Sequence, residues 1–346
     1  MKTNFLAGIK NIIWLLLLCL SGCTIFGTRV LPAPTHVSPT STVATNVEPI
    51  SLSLSGKIAF ISEGSNPNDH RLMILQLENG SIVDITPPEL PLISNLSWSP
   101  DGQYIAFDAV KDNVIQIFTI NADATQLTQL TTGENDAFRP SWSPDGENIL
   151  FISTQANNSG SNDSSPQQLD LYMMEPDGTD MHRFAIESQS DHTSVSGYYR
   201  ADGLIAVYEP GTRFSVNNYV VNSNGVVQTQ FPEFTTNAPI AWSPDGERAI
   251  YTADRTTSSC AGFWVSNVND SAVSCLGIEH ANELQPDGKI IGADGASWSP
   301  DGNYILFVSN LDGDSDLYVI KPDGTELSQI TNLLGNEGSA VWWINP

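Results

Sequence analysis

One eleven-residue phrase occurs four times in this chain: SWSPDGQYIAF from Ser97, SWSPDGENILF from Ser141, AWSPDGERAIY from Ala241 and SWSPDGNYILF from Ser297. Each copy reads as a hairpin. Proline pre-sets φ at the second turn position, aspartate can accept from nearby amides, and glycine takes the left-handed conformation that leaves the turn. The tryptophan before the turn lies on one strand, and the apolar run after it forms the partner strand. Two further short strands follow, as in QIFTINADATQLTQLT (116–131), DLYMMEPDGTDMHRF (170–184) and DLYVIKPDGTELSQIT (316–331). Four short antiparallel strands per repeat of 40–50 residues, with a recurring tryptophan, are the signature of a propeller blade. One blade cannot bury both of its faces, so blades must stack into a ring.

The degenerate copies set the number of blades. Trp142 and Trp242 are far enough apart for two blades, and YYRADGLIAVY (198–208) lies between them. There Tyr199 stands in the tryptophan position, and one residue is missing after the glycine. At the start, SGKIAFIS (55–62) and RLMILQLENGSIVDIT (71–86) supply three strands and lack the first; at the end, SAVWWINP (339–346) is a lone first strand. The expectation is an all-β, six-bladed propeller over residues 51–346. Its ring closes when the C-terminal strand joins the N-terminal blade, because an open ring would leave unpaired edges.

These motifs resemble the TolB-type propeller repeat, which also occurs in propellers attached to prolyl-oligopeptidase-like hydrolases. The resemblance implies an envelope protein whose propeller is used for binding. TolB itself carries a small α/β domain before the propeller, and the peptidases carry a hydrolase domain after it. Here an anchor and stalk precede the repeats, and the sequence stops at Pro346.

Residues 1–23, MKTNFLAGIKNIIWLLLLCLSGC, have a basic start, a short apolar run and the ending Leu20-Ser21-Gly22-Cys23. The run is short for a transmembrane helix and suits a signal peptide. The ending resembles the bacterial lipobox, which implies lipidation of Cys23 and a membrane anchor through the attached acyl chains. An uncleaved anchor is the alternative, and both place the remaining chain outside the cytoplasm. Thr24, rather than aspartate, follows the cysteine and favours the outer membrane where one exists. Residues 24–50 are rich in proline and threonine and read as a disordered stalk. Beyond the signal segment only Cys260 and Cys275 remain, and in an oxidising compartment they form a candidate disulfide.

Composition excludes one class of partner. Two of the 14 basic residues, Lys2 and Lys10, lie in the signal segment, leaving 12 against 39 acidic residues. Such a domain repels phosphate backbones, so no nucleic-acid partner is expected.

The search for chemistry finds scaffold. Gly295-Ala296-Ser297-Trp298-Ser299 approximates a nucleophile elbow, but it lacks the final glycine and sits on a hairpin rather than a strand-to-helix turn. The five histidines show no ligand spacing. Asp312, Asp314 and Asp316 alternate as calcium ligands can, making calcium the one possible cofactor; none other is expected. Loops entering the inner strands should gather at one mouth of the channel, carrying Glu134, Asp136, Phe138, Arg139, Asp191, His192, Asn237, Asn336 and Glu337. The leading expectation is a monomeric, non-enzymatic module binding an envelope protein or peptide. The alternative is a carbohydrate-binding or metal-dependent polysaccharide-processing propeller acting at the channel mouth.

Overall fold

The computed structural model describes residues 42–43, 54–64, 69–154, 169–186, 196–210, 216–234, 241–252, 262–267, 273–277, 296–310 and 314–345. Among them the strands form six antiparallel sheets, and there is no helix. In the second blade the order from inner to outer edge is Ile93–Trp98, Tyr104–Lys111, Val114–Asn121 and Thr128–Gln129. The third to sixth blades begin on Ala137–Trp142, Ser196–Tyr199, Ala241–Trp242 and Ser297–Trp298. The first blade joins the two ends of the propeller. Its inner strand is Glu337–Trp343, paired to Lys57–Glu63, and His70–Gln76 and Ser81–Asp84 follow outward. Thr42–Val43, inside the segment read as stalk, adds to the outer edge of this sheet opposite Val83 and Ile82.

The apolar cores lie between blades. The second strand of the first blade is buried on both faces: Ile58 and Phe60 pack toward the sixth blade, Ala59 and Ile61 toward the second. Successive side chains of a strand point to opposite faces, so a strand covered on both sides must be apolar throughout. That is why YIAF, NILF and YILF do not alternate with polar residues. Further clusters fill the wedges between the second and third, third and fourth, fourth and fifth, and fifth and sixth blades. Together with the sixth-to-first and first-to-second clusters, they close the ring.

The repeated turn is a self-contained hydrogen-bonded unit. The Ser99 hydroxyl accepts from the Tyr104 amide at 2.9 Å and donates to Asp101 Oδ1 at 2.6 Å, which also accepts from the Gln103 amide. Ser143–Asp145, Ser243–Asp245 and Ser299–Asp301 repeat this pairing. For Asp145 and Asp245, the serine hydroxyl first and the following amide second hold the carboxyl below the usual range. Gly102, Gly146, Gly246 and Gly302 have φ between 66° and 76°. The four serines are buried. Their hydroxyls are spent on the turn, which accounts for the repeat of serine without a nucleophile. The threonine ending an outer strand has a matching role: Thr86, Thr131 and Thr331 each accept from the third-strand amide of Leu72, Ile117 or Leu317.

The degenerate fourth blade follows the same plan. Tyr199 pairs with Ile205, six residues on, whereas Trp98 pairs with Ile105, seven residues on. The missing residue therefore shortens the turn and leaves the register intact. Tyr199 N donates to Ser141 Oγ at 3.0 Å, as Trp142 N donates to Ser97 Oγ. Each bond joins neighbouring inner strands around the axis.

Candidate functional site

The inner ends of the first, second, third, fourth and sixth blades line a cavity of about 700 Å³. Its wall combines indole and phenol rings, including Trp98, Trp142, Tyr199 and Trp342, with the small polar residues Ser97 and Ser141. Burial, and then the charge of Asp145, pushes the Tyr199 phenol up to about 12, so it stays protonated, and its hydroxyl donates to Met173 Sδ at 3.8 Å. No aspartate or glutamate is among the lining residues, although the whole chain carries a net charge of −25. Two cations line the cavity, Arg139 and Arg200. Arg200 is buried and committed: it pairs with Asp202 at 2.8 Å, donates to the Gly246 carbonyl and lies 4.4 Å over the Trp242 ring. Arg248 makes the corresponding clasp to Trp298 and the Gly302 carbonyl. Both tie one blade to the next through stacking and hydrogen bonding.

The residues expected at the mouth separate by position. Glu134 is exposed in the loop before the third blade. Asp136 is half-buried and structural, accepting from the Ile115 amide at 2.9 Å. Phe138 packs into the wedge between the third and fourth blades. Arg139 belongs to the inner strand rather than the loop, and of this set it is the one that lines the cavity. Asn336 accepts from the Glu63 and Ser315 amides. Asp191, His192 and Asn237 lie outside the described residues, as do Cys260 and Asp312. Cys275 is on the strand Val273–Gly277, and its pairing with Cys260 therefore also lies outside them.

Glu337 is buried at the seam between the last and first blades instead of facing the channel mouth. It accepts from Thr331 Oγ1 at 2.8 Å and hydrogen-bonds to Asp316, which itself accepts from Gln329 Nε2 at 3.0 Å. Two carboxyl groups can share such a bond only around one proton. Burial first, and then the bond to Asp316, raises the Glu337 carboxyl from 4.5 to about 9. Among the described residues no group of three histidines, cysteines or acids is placed to hold a metal. Asp316 is a buried strand residue beside Glu337, while Asp314 precedes the strand.

The seam has a pH signature. The folded Glu337 holds its proton more tightly than the unfolded chain does, so its contribution is complete below about pH 4.5. That contribution is lost as pH rises through about 9. The change Glu337→Gln supplies a donor that does not titrate. Melting temperature followed from pH 6 to 10 should decline less steeply in this variant than in the parent. Parallel profiles would show that the pair does not share a proton.

Comparison with known proteins now places the fold. The TolB beta propeller domain family matches residues 47–259. The chain belongs to this family. An uncharacterized protein of Agrobacterium fabrum is 30% identical over 168 residues, covering 44% of this chain and 52% of that protein. The chain therefore matches over about half the length of that curated relative. TolB from Acinetobacter baumannii has a TM-score of 0.64 at 19% identity, covering 83% of this chain and 66% of that one. Hydrazine synthase of Kuenenia stuttgartiensis has a TM-score of 0.62 at 14% identity, covering 85% and 48%. At these identities the two structures share the fold with this TolB-family propeller, and fold alone does not assign activity.

Several residues of the cavity wall carry no motif in the sequence. Asn95, Tyr198 and Trp343 line it beside Arg139, and Asp108 stands buried behind it. The readable signal was the departure of Asp108 from the apolar character of its strand.

Proposed function

We propose that this chain is a lipid-anchored extracytoplasmic propeller that binds an envelope protein or peptide in its central channel, without catalysis. The observation that carries the binding reading is the channel itself: an aromatic and small-polar wall free of acids, inside an acidic molecule. Its repeated serines and aspartates are occupied by the turns, while the exposed Arg139 on the cavity lining remains available to a ligand. Backbone edges at the axis and aromatic surfaces suit an extended peptide or an inserted loop. The anchor reading rests on residues 1–23, with Cys23 as the lipidated residue, and the folded domain acts as a monomer.

The anchor is tested by Cys23→Ser. The parent should fractionate with membranes and carry diacylglycerol on its mature N-terminus by mass spectrometry; the variant should not be lipidated. Equal lipidation and membrane association of the two forms would refute it.

A further inference from the structure

The internal repeats single out one side chain. The register places Ile61, Asp108, Ile152, Tyr208, Thr252 and Val308 at one structural position, three residues after the partner of the inner-strand tryptophan or tyrosine. The second blade alone places an acid there, and Asp108 is buried. A buried carboxylate is costly unless donors surround it. Two donors do: Asn95 Nδ2 at 2.8 Å and the Arg139 amide at 2.7 Å. Burial raises the Asp108 carboxyl to about 6 against the opposing effect of these bonds.

Asp108 thereby links the inner strands of the second and third blades. Both partners sit where the strand pairing shifts register, and both have positive φ, 47° at Asn95 and 55° at Arg139. Left-handed backbone is unfavourable for arginine, so the bond to its amide offsets a local cost. The result is an Arg139 whose backbone is held by Asp108 at the cavity lining, while the residue itself is exposed. Among the described residues no carboxylate lies within 4.0 Å of its guanidinium, although its charge is felt by Asp108. Arg200, the other lining cation, is already paired.

We propose that Arg139, with Asn95 beside it, receives a carboxylate, and that the peptide entering this channel presents an aspartate, a glutamate or a free C-terminus there. The inference rests on the peptide-binding reading above and names the chemistry of the peptide. A guanidinium fork matches a carboxylate in geometry and charge. The acid-free wall gives a carboxylate a local site, while the negative field of the remaining molecule opposes non-specific association with acidic chains. Asp108 is a positioning residue, and Arg139 makes the contact.

The test is selection from random hexapeptides, half with free C-termini and half amidated, on the full chain and on Arg139→Gln and Arg139→Glu. The parent should enrich acidic side chains or free C-termini by about tenfold or more. Arg139→Gln should lose that enrichment, and Arg139→Glu should shift it toward lysine and arginine. Unchanged melting temperatures would establish that the variants fold. Enrichment without acidic preference, or the same preference in Arg139→Gln, overturns the carboxylate site and leaves peptide binding standing. If no peptide is enriched by any form, the inference and the peptide-binding reading both fall.

Discussion

A chain ending at Asn336 should lose its cooperative unfolding transition. Residues 337–343 are the inner strand of the first blade and the partner of Lys57–Glu63. Their loss strips both inner wedge faces at that blade. Three indole bonds disappear: Trp98 Nε1 to the Val341 carbonyl at 3.2 Å, Trp342 Nε1 to the Ser55 carbonyl at 3.0 Å, and Trp343 Nε1 to the Pro100 carbonyl at 2.9 Å. Buried Ala340 and Trp342 leave the wedge against the sixth blade, and Trp343 and Val341 leave the wedge against the second. Each large side chain contributes about 1.5–3 kcal/mol of burial. The combined loss approaches the ordinary stability of a folded protein, about 5–15 kcal/mol. A calorimetric scan of the shortened chain should show no sharp transition, and a synthetic peptide of residues 337–346 should restore part of it. A melt equal to the parent's would show that ring closure does not hold the fold.

Replacing Gly102 by alanine should cost far more than replacing Gly80. Both have nearly the same positive φ, 66° and 69°, so the left-handed backbone penalty is about 1 kcal/mol for each. Their surroundings differ. A Cβ at Gly80 would meet nothing within 4 Å, whereas at Gly102 it would overlap the Trp343 ring. That ring is held by its bond to Pro100 and packs at 6.2 Å from Trp98. Gly102→Ala must therefore displace the closing strand, and the expected loss is about 3 kcal/mol, beside about 1 kcal/mol for Gly80→Ala. Equilibrium urea unfolding of the two variants measures the difference. Equal losses would mean that the turn and the closing strand are not in contact.

Blade number, closure and the turn were legible because each is encoded locally or by periodic recurrence. Pro, Asp and Gly specify the turn within four residues, and Trp98, Trp142, Trp242 and Trp298 mark the inner strands. Tyr199 was legible as a tryptophan substitute because its spacing to Asp202-Gly203 survives the deletion. The channel site was harder to read. Arg139 follows a polar loop in sequence, yet the inner strand begins at Ala137, so arginine and loop part company at the bulge. Asp108 directly follows the apolar YIAF run within its strand, and its role depends on an amide 31 residues away in the next blade. Glu337 read as an exposed loop acid for the same reason. Its burial arises from Asp316 and Thr331, which only ring closure brings against it.

The most direct test places a photoreactive amino acid at channel position Tyr199 and, separately, at Asn79, which lies in the outer turn of the first blade. Both forms would be produced with their anchor in intact cells and irradiated. A discrete protein adduct should form from Tyr199 and none from Asn79, with the Tyr199 adduct reduced by Arg139→Glu. Adducts of equal yield from both positions, or none from the channel in folded and lipidated protein, would contradict a binding role for the channel.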